Sequence, residues 1–289
     1  MADRNMVQRV LFAVVAIPLA LALVWFGGWP LVLLVTLVSV LGVREFYDLA
    51  ARTGVRPLVL PGLAAAASLA PIVYGAVSGA SWSRGLSEAW PFLAAAWFLS
   101  LLLGTLAARG PDQRPLGELA ATVLGVVYAG ALPTFLLAIR HGQHEQRSWA
   151  GTWLVFFPLI VIWVCDSAAM QGGRAIGGPK LWPSVSPGKT RSGALAGLLG
   201  GLLVAPLFAF AVFPRVGVPA TLLHLLVIAG LLATLGQAGD LAESLFKREA
   251  GVKDSSALIP GHGGVLDRFD SLYVAIPLAA ACYRLFGLA

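Results

Sequence analysis

The densest group of chemically reactive side chains lies in segment 239–270, which reads GDLAESLFKREAGVKDSSALIPGHGGVLDRFD. Four polar residues near its start fall at positions i, i+3, i+4 and i+7, so on a helix they would form one polar stripe. They are Asp240, Glu243, Ser244 and Lys247. We expect this helix to lie at a membrane surface, with its carboxylates beside a lysine.

A glycine-rich loop with the sequence PGHGG follows at 260–264, preceded by Lys253 and Asp254. Glycine has no side chain, so backbone N–H groups in such a loop can approach phosphate oxygens closely. We therefore interpret this loop as an anion-binding element.

Two further carboxylates come directly after the glycine-rich loop. Asp267 and Asp270 are three positions apart, which places them on one face of a helical turn. With Asp240 facing them, these oxygens form the kind of ligand set that Mg²⁺ prefers. The sequence therefore predicts a magnesium site formed by Asp240, Asp267 and Asp270.

A second polar segment, 166–191, begins with Asp166 at the end of an apolar run. A carboxylate at that depth is costly, on the order of 2.5 to 3.5 kcal/mol at mid-membrane, so we expect a metal or a lysine beside it. The segment ends in Gly188, Lys189 and Thr190, but residue 183 is proline. The spacing of a nucleotide-binding P-loop requires glycine there, so that reading is rejected.

Together these two segments contain all four lysines and 7 of the 14 acidic residues of the chain. Both are rich in glycine and proline, which favours irregular backbone folded over a site rather than helix.

The composition shows what must position these loops. Hydrophobic residues make up 58% and charged residues 12% of the 289 positions, against roughly 25% charged in soluble proteins. Two cysteines are too few for a disulfide framework or a cysteine-based zinc site. The chain is therefore predicted to be an all-α, polytopic membrane protein.

Charge-free runs long enough to span a bilayer predict about nine transmembrane helices. The first two predicted spans share the run 10–43, which is interrupted by a turn at 27–30. The other seven spans follow it along the chain, and the ninth has only 13 residues. These other runs are 57–83, 89–108, 119–139, 148–165, 192–214, 216–239 and 271–283.

With nine spans, alternate loops hold 15 and 5 of the 20 lysines and arginines. Positive residues concentrate on the cytoplasmic side of membrane proteins, so the N-terminus and both polar segments are predicted to be cytoplasmic. Residues 1–118, with spans one to four, are predicted to be a membrane scaffold. Residues 119–289 would be the catalytic region, with spans five to nine and loops 166–191 and 239–270.

Two other polar groups have weaker interpretations. Glu45 lies beside Arg44 within a span, where it is either a functional group or half of an ion pair at the cytoplasmic interface. His141 and His144 could bind a metal, but a solvated outer loop is the favoured interpretation.

The C-terminal motifs resemble the phosphatidate cytidylyltransferase (CDP-diacylglycerol synthase) family. The segment 244–270 has that family's SLFKR, KD, PGHGG and LDRFD at the family's spacing, and segment 166–190 is similar to a second conserved stretch. The chain departs from the family where tyrosine, lysine or glutamate is usual. The departures are Met170, Gly178, Gly188 and Ser192.

The resemblance implies a multi-span enzyme, commonly dimeric, that converts CTP and phosphatidate to CDP-diacylglycerol and diphosphate with Mg²⁺; a second, monovalent cation is left open. The residues assigned to catalysis are Asp166, Asp240, Lys247, Asp267 and Asp270. Those assigned to substrate binding are Lys180, Ser186, Lys189, Thr190, Ser244, Arg248, Lys253, His262, Gly263, Gly264 and Arg268.

Three alternatives stay open from the sequence alone: a related CTP-dependent lipid kinase, a synthase acting on an ether lipid, and a transporter. A transporter is disfavoured because most spans lack charge and no pair of broken helices is present. The expected location is the inner membrane of a bacterial cell, and no nucleic-acid partner is expected.

Overall fold

The computed structural model describes residues 17–259 and 263–288 of the chain. These residues are almost entirely helical, and one two-stranded hairpin is the only sheet among them. The prediction of an all-α polytopic membrane protein is confirmed. His262 and the beginning of the first predicted span lie outside the described residues.

In the described part of the chain, twelve α-helices and two strands position the polar segments. The helices are α1 (Ile17–Phe26), α2 (Gly28–Arg52), α3 (Val59–Ser78), α4 (Arg84–Ala108), α5 (Pro115–Gly125), α6 (Phe135–His141), α7 (Trp149–Ile176), α8 (Arg191–Leu202), α9 (Val204–Leu207), α10 (Leu222–Glu249), α11 (Leu266–Phe269) and α12 (Leu272–Leu285). The strands are β1 (Lys180–Trp182) and β2 (Ser186–Thr190).

Seven segments of the described chain are long and apolar enough to cross a membrane. The 25 residues of α2, for example, extend about 37 Å, which exceeds the roughly 30 Å of a hydrocarbon core. The seven segments are α2, α3, Glu88–Ala108 of α4, Pro115–His141, α7, Arg191–Val216 and α10. Because α1 and α12 are shorter, the first and ninth spans stay predictions.

One end of the bundle is held by a buried arginine, not by the solvated loop expected around His141. Arg140 donates to the carbonyl oxygens of Val24 (2.6 Å) and Trp25 (2.8 Å) at the end of α1. His141 Nε2 accepts from the N–H of Gly28 at 3.1 Å. Both side chains are buried, so they connect α6 to the turn between α1 and α2.

Helices α7 and α8 pack closely because small residues line their interface. A Cβ atom added at Gly193 would lie 2.7 Å from the carbonyl oxygen of Ala169, and one at Gly200 would lie 2.6 Å from Ala168 Cβ. This close approach places the hairpin of β1 and β2 beside the end of α7.

Both polar segments are more helical than expected. α7 continues past Asp166 to Ile176, and α10 continues to Glu249 as one 28-residue helix. The polar stripe is therefore the end of a membrane span, and the expectation of a separate surface helix was wrong. Charge marks where a span leaves the apolar layer, but the helical hydrogen bonds continue until Gly177 and Gly251, both with positive φ, end them.

Candidate active site

A buried lysine joins two carboxylates at the end of α10. Lys247 Nζ lies 3.1 Å from Glu243 Oε1 and 2.7 Å from Asp267 Oδ1 on α11. The three side chains are at most 9% exposed. A buried lysine between two acids balances their charge, and removing one partner of such a group is strongly destabilising.

The second oxygen of Asp267 receives three further donors. Oδ2 accepts from the backbone N–H and the hydroxyl of Ser255 and from the N–H of Gly264, each at 2.8 Å. Burial alone would raise the pKa of Asp267, but the hydrogen bonds from Lys247, Gly264 and Ser255 outweigh it and hold the pKa below its usual value. Asp267 is therefore ionised and fixed at neutral pH.

A second pair connects β2 to α10. Lys189 Nζ lies 2.6 Å from Asp240 Oδ2, and Ser244 Oγ lies 3.4 Å from the other oxygen of Asp240. The Lys189 and Asp240 side chains are 28% and 26% exposed, so this pair is less enclosed than the Lys247 group, although Lys189 Nζ itself is buried.

Two more carboxylates act on Asp240. Burial, together with the negative charges of Asp240 and Asp166, raises the pKa of Asp270 to about 7. Asp166 is near enough to Lys189 and Arg268 for their positive charges to attract its carboxylate. Three acids from α7, α10 and the start of α12 thus converge where α10 meets the hairpin.

The hairpin contributes capping and positioning groups. Thr190 is buried, and its hydroxyl accepts from the N–H of Gly193 at 3.0 Å, which caps α8. Arg248 donates to the carbonyl oxygens of Val185 at 3.1 Å and Val252 at 2.8 Å. Arg248 therefore connects the hairpin to the loop after α10.

The structure brings most predicted site residues to this end of α10. Ser186 pairs with Trp182 in the hairpin, and Lys180, Lys253 and Arg268 are exposed around it. Gly263 has a φ of +79°, and a Cβ atom there would lie 2.7 Å from Asp267 Oδ2. The N–H of Gly264 donates to Asp267, so its observed ligand is a carboxylate of the protein.

Comparison with known proteins gives this arrangement a context. A model of the cytidylyltransferase family matches residues 7–286. The chain belongs to the cytidylyltransferase family. A phosphatidate cytidylyltransferase of Bacillus subtilis is 31% identical over 98% of this chain and 99% of its own length. Phosphatidate cytidylyltransferases of Staphylococcus saprophyticus, 33% identical over 93% of this chain and 96% of theirs, and of Haemophilus influenzae, 40% over 65% of each, are also similar.

The carboxylates of this cytidylyltransferase family member fit Mg²⁺ in one particular way. The described residues contain no group of three acids, histidines or cysteines close enough to form a metal cage. Mg²⁺ seldom uses such cages; it commonly takes one or two carboxylates and completes its shell with water and substrate phosphates. Asp166, Asp240 and Asp270 concentrate negative charge in one place, and their carboxylates repel one another. A bound cation would reduce this repulsion.

The N-terminal half contributes Glu45, which the sequence offered either as a functional group or as half of an interfacial ion pair. Glu45 does not form the expected interfacial ion pair, because Arg44 pairs with Asp48 at 3.3 Å. Glu45 is instead buried against Ser255 and Ser256. Its place inside a span was the only signal, and the division of the chain at residue 118 stays a prediction.

Proposed function

We propose that this chain is a phosphatidate cytidylyltransferase, joining CTP and phosphatidate to give CDP-diacylglycerol and diphosphate. The observation that carries the proposal is similarity to enzymes of that name over nearly the whole chain. The cluster of acids and lysines at the ends of α7 and α10 supports it, because nucleotidyl transfer depends on charge neutralisation and positioning.

The proposed reaction is one displacement at phosphorus. A phosphate oxygen of phosphatidate attacks the α-phosphorus of CTP, the bond from that phosphorus to the bridging oxygen breaks, and diphosphate leaves with its electron pair. A phosphomonoester has a second pKa near 6 and is largely dianionic at neutral pH. The nucleophile therefore needs no general base, and none is assigned.

The residues divide into an open and a closed group. Lys180, Lys253 and Arg268 are exposed, so these cations are available to CTP phosphates or the lipid headgroup. The Lys189 side chain is partly exposed, but its Nζ is buried against Asp240, so Lys189 is assigned to the open group together with Asp240. Lys247 is buried and already holds two carboxylates, so its proposed role is to position Asp267. Arg248, Thr190 and Ser244 orient the hairpin and Asp240.

Mg²⁺ is the proposed cofactor; Asp240 and Asp270 would hold it, with the charge of Asp166 close to both. It would neutralise charge on the CTP triphosphate. Asp267 differs from the other two in that its oxygens already accept from Lys247 and from the N–H groups of Ser255 and Gly264, with the Ser255 hydroxyl shared with Glu45. We place Asp267 in the metal site as predicted, with its fixed charge as its main contribution.

The proposed location is the inner membrane of a bacterium, with the N-terminus and active site cytoplasmic. A site at the end of membrane spans can take a soluble nucleotide from the water and a lipid headgroup from the bilayer. The exposed apolar faces, including Phe92 at 77% and Leu106 at 78%, suit contact with lipid or a second subunit. A homodimer is part of the proposal.

The test is diphosphate release by purified protein in detergent. We expect release only when CTP, phosphatidate and Mg²⁺ are all present, with an equal amount of CDP-linked lipid. A lipid kinase would form CDP and no diphosphate, and a transporter would consume no CTP. Diphosphate formation at the full rate in excess EDTA would contradict the metal site.

A further inference from the structure

The side chain of Glu45 makes a set of contacts that the proposed reaction has not used. Oε1 accepts from Ser256 Oγ at 2.7 Å and from the N–H of Val265 at 3.0 Å. Oε2 accepts from the N–H of Leu266 at 2.9 Å and also lies 2.9 Å from Ser255 Oγ, whose single proton is shared between Glu45 and Asp267. The side chain belongs to α2 and is 4% exposed.

No lysine or arginine pairs with Glu45 among residues 17–259 and 263–288. Glu45 differs in this from two other buried glutamates, Glu118 and Glu243, which form ion pairs with Arg109 and Lys247. A buried carboxylate without a cation is retained when hydrogen bonds replace the lost water. For Glu45 the donors are Ser256 Oγ, the N–H groups of Val265 and Leu266, and the Ser255 hydroxyl that it shares with Asp267. All of them come from the chain between the end of α10 and the first residue of α11.

The loop is held between two carboxylates. The N–H of Gly264 donates to Asp267, and the next two N–H groups, those of Val265 and Leu266, donate to Glu45. Ser255 Oγ lies within hydrogen-bond distance of both acids, 2.9 Å from Glu45 and 2.8 Å from Asp267. Asp267 is therefore connected through this loop to Glu45, which is distant in the sequence: Glu45 and Leu266 are 221 residues apart.

Gly264 has a structural explanation in the same contacts. Its φ is not positive, so backbone conformation does not require glycine there. A Cβ atom at this position would overlap Ser255 Oγ and Glu45 Oε2. Glycine is thus required for the approach of the Glu45 carboxylate to the loop.

We propose that Glu45 is a positioning residue for cytidylyl transfer: it fixes Ser255, Ser256, Val265 and Leu266 and, through Ser255, holds Asp267 in place against Lys247. This inference rests on the proposed function for its kinetic consequence but not for its geometry. The N-terminal half would then supply part of the active site's support in addition to its membrane spans.

The test compares Glu45→Gln with Glu118→Gln as a matched control. Both residues are buried glutamates, but Glu118 pairs with Arg109 and touches no part of the loop. An amide in place of Glu45 turns an NH₂ group toward two donors. We expect kcat/KM for CTP, normalised to folded protein, to fall at least about tenfold in Glu45→Gln and less than about twofold in Glu118→Gln.

A double-mutant cycle separates positioning from general loss of stability. If Glu45 acts through Ser255, the effects of Glu45→Gln and Ser255→Ala on kcat/KM will not be additive. Additive effects, or a loss of kcat/KM in Glu118→Gln as large as that in Glu45→Gln, would overturn the proposal. So would near-normal kcat/KM in Glu45→Gln.

Hydrogen exchange keeps this test independent of the reaction. In protein without substrate, the amides of Val265 and Leu266 should exchange at least about tenfold faster in Glu45→Gln than in the unsubstituted protein. Unchanged exchange would refute the contacts themselves. An unsubstituted protein that releases no diphosphate would instead refute the proposed function, and exchange alone would then decide the geometry.

Discussion

Asp267→Asn replaces one carboxylate oxygen by an NH₂ group where both oxygens accept hydrogen bonds, so its effect on stability and turnover can be worked out from the structure. Asparagine keeps the volume and one acceptor oxygen, but its NH₂ group must face either Lys247 or the donors of Ser255 and Gly264. Whichever orientation it takes, one set of donors loses its acceptor. The negative charge that balances Lys247 is also lost.

The size of the effect follows from burial. Lys247 and Asp267 side chains are 9% and 5% exposed, and breaking a buried ion pair costs roughly 3–5 kcal/mol. At about 2–4 °C per kcal/mol, Tm should fall by roughly 6 °C or more. Misplacing this charge should also reduce the turnover of folded protein, by about a hundredfold or more.

The pKa of Asp267 adds a pH signature. Because it lies below the ordinary value of 3.8, the ionised carboxylate contributes stability at neutral pH, and this contribution is lost as pH falls through the folded-state pKa. The Tm difference between unsubstituted protein and Asp267→Asn should therefore be full at pH 7 and shrink below about pH 4.

The assay is thermal unfolding in detergent together with diphosphate release, with Asp254→Asn as control. Asp254 is an exposed acid in the same loop, and its substitution should change Tm by less than about 2 °C. If Asp267→Asn kept both its Tm and its turnover within the range of Asp254→Asn, the reasoning from buried hydrogen bonds would be refuted.

Three other substitutions test separate parts of the account. Lys189→Gln removes the partly exposed cation beside Asp240, so KM for CTP should rise about tenfold or more while Tm changes little, as measured by kinetics and unfolding. In a background without the two native cysteines, cysteine at Ser81 should react with an impermeant thiol reagent in intact cells and cysteine at Lys180 should not. Gly27→Ala should lower Tm, because φ is +60° and its Cβ would lie 2.6 Å from His141, while kcat of the folded fraction stays unchanged.

Each of these predictions has a result that would count against it. A normal KM in Lys189→Gln would remove that lysine from CTP binding. Labelling at Lys180 but not at Ser81 would reverse the proposed orientation and separate the site from cytosolic CTP. A Gly27→Ala protein with normal Tm would show that the turn after α1 tolerates a side chain.

The sequence was sufficient where the signal was local or held in a motif. Long apolar runs predicted the spans, and the SLFKR and LDRFD motifs predicted that Lys247 and Asp267 belong to one site. The sequence also predicted a metal or a lysine beside Asp166, because a carboxylate near a span needs a cation. The structure pairs Lys189 with Asp240 instead, which the sequence did not predict.

The sequence could not predict contacts between residues that are far apart along the chain. Ser255 Oγ and Glu45 are 210 residues apart, and no local periodicity reports such a pair. The same holds for Arg140, which reaches Val24 at a separation of 116 residues. Helix ends were missed for another reason: charge identifies the membrane boundary, whereas α7 and α10 end only at a glycine beyond it.

The most direct test of cytidylyl transfer is to follow each phosphorus of CTP. CTP carrying radioactive phosphorus at the α position, supplied with phosphatidate and Mg²⁺, should pass its label into the lipid fraction, and the γ label should appear in diphosphate. Transfer of the γ label to lipid, with the α label left in CDP, would contradict the account and identify a lipid kinase instead.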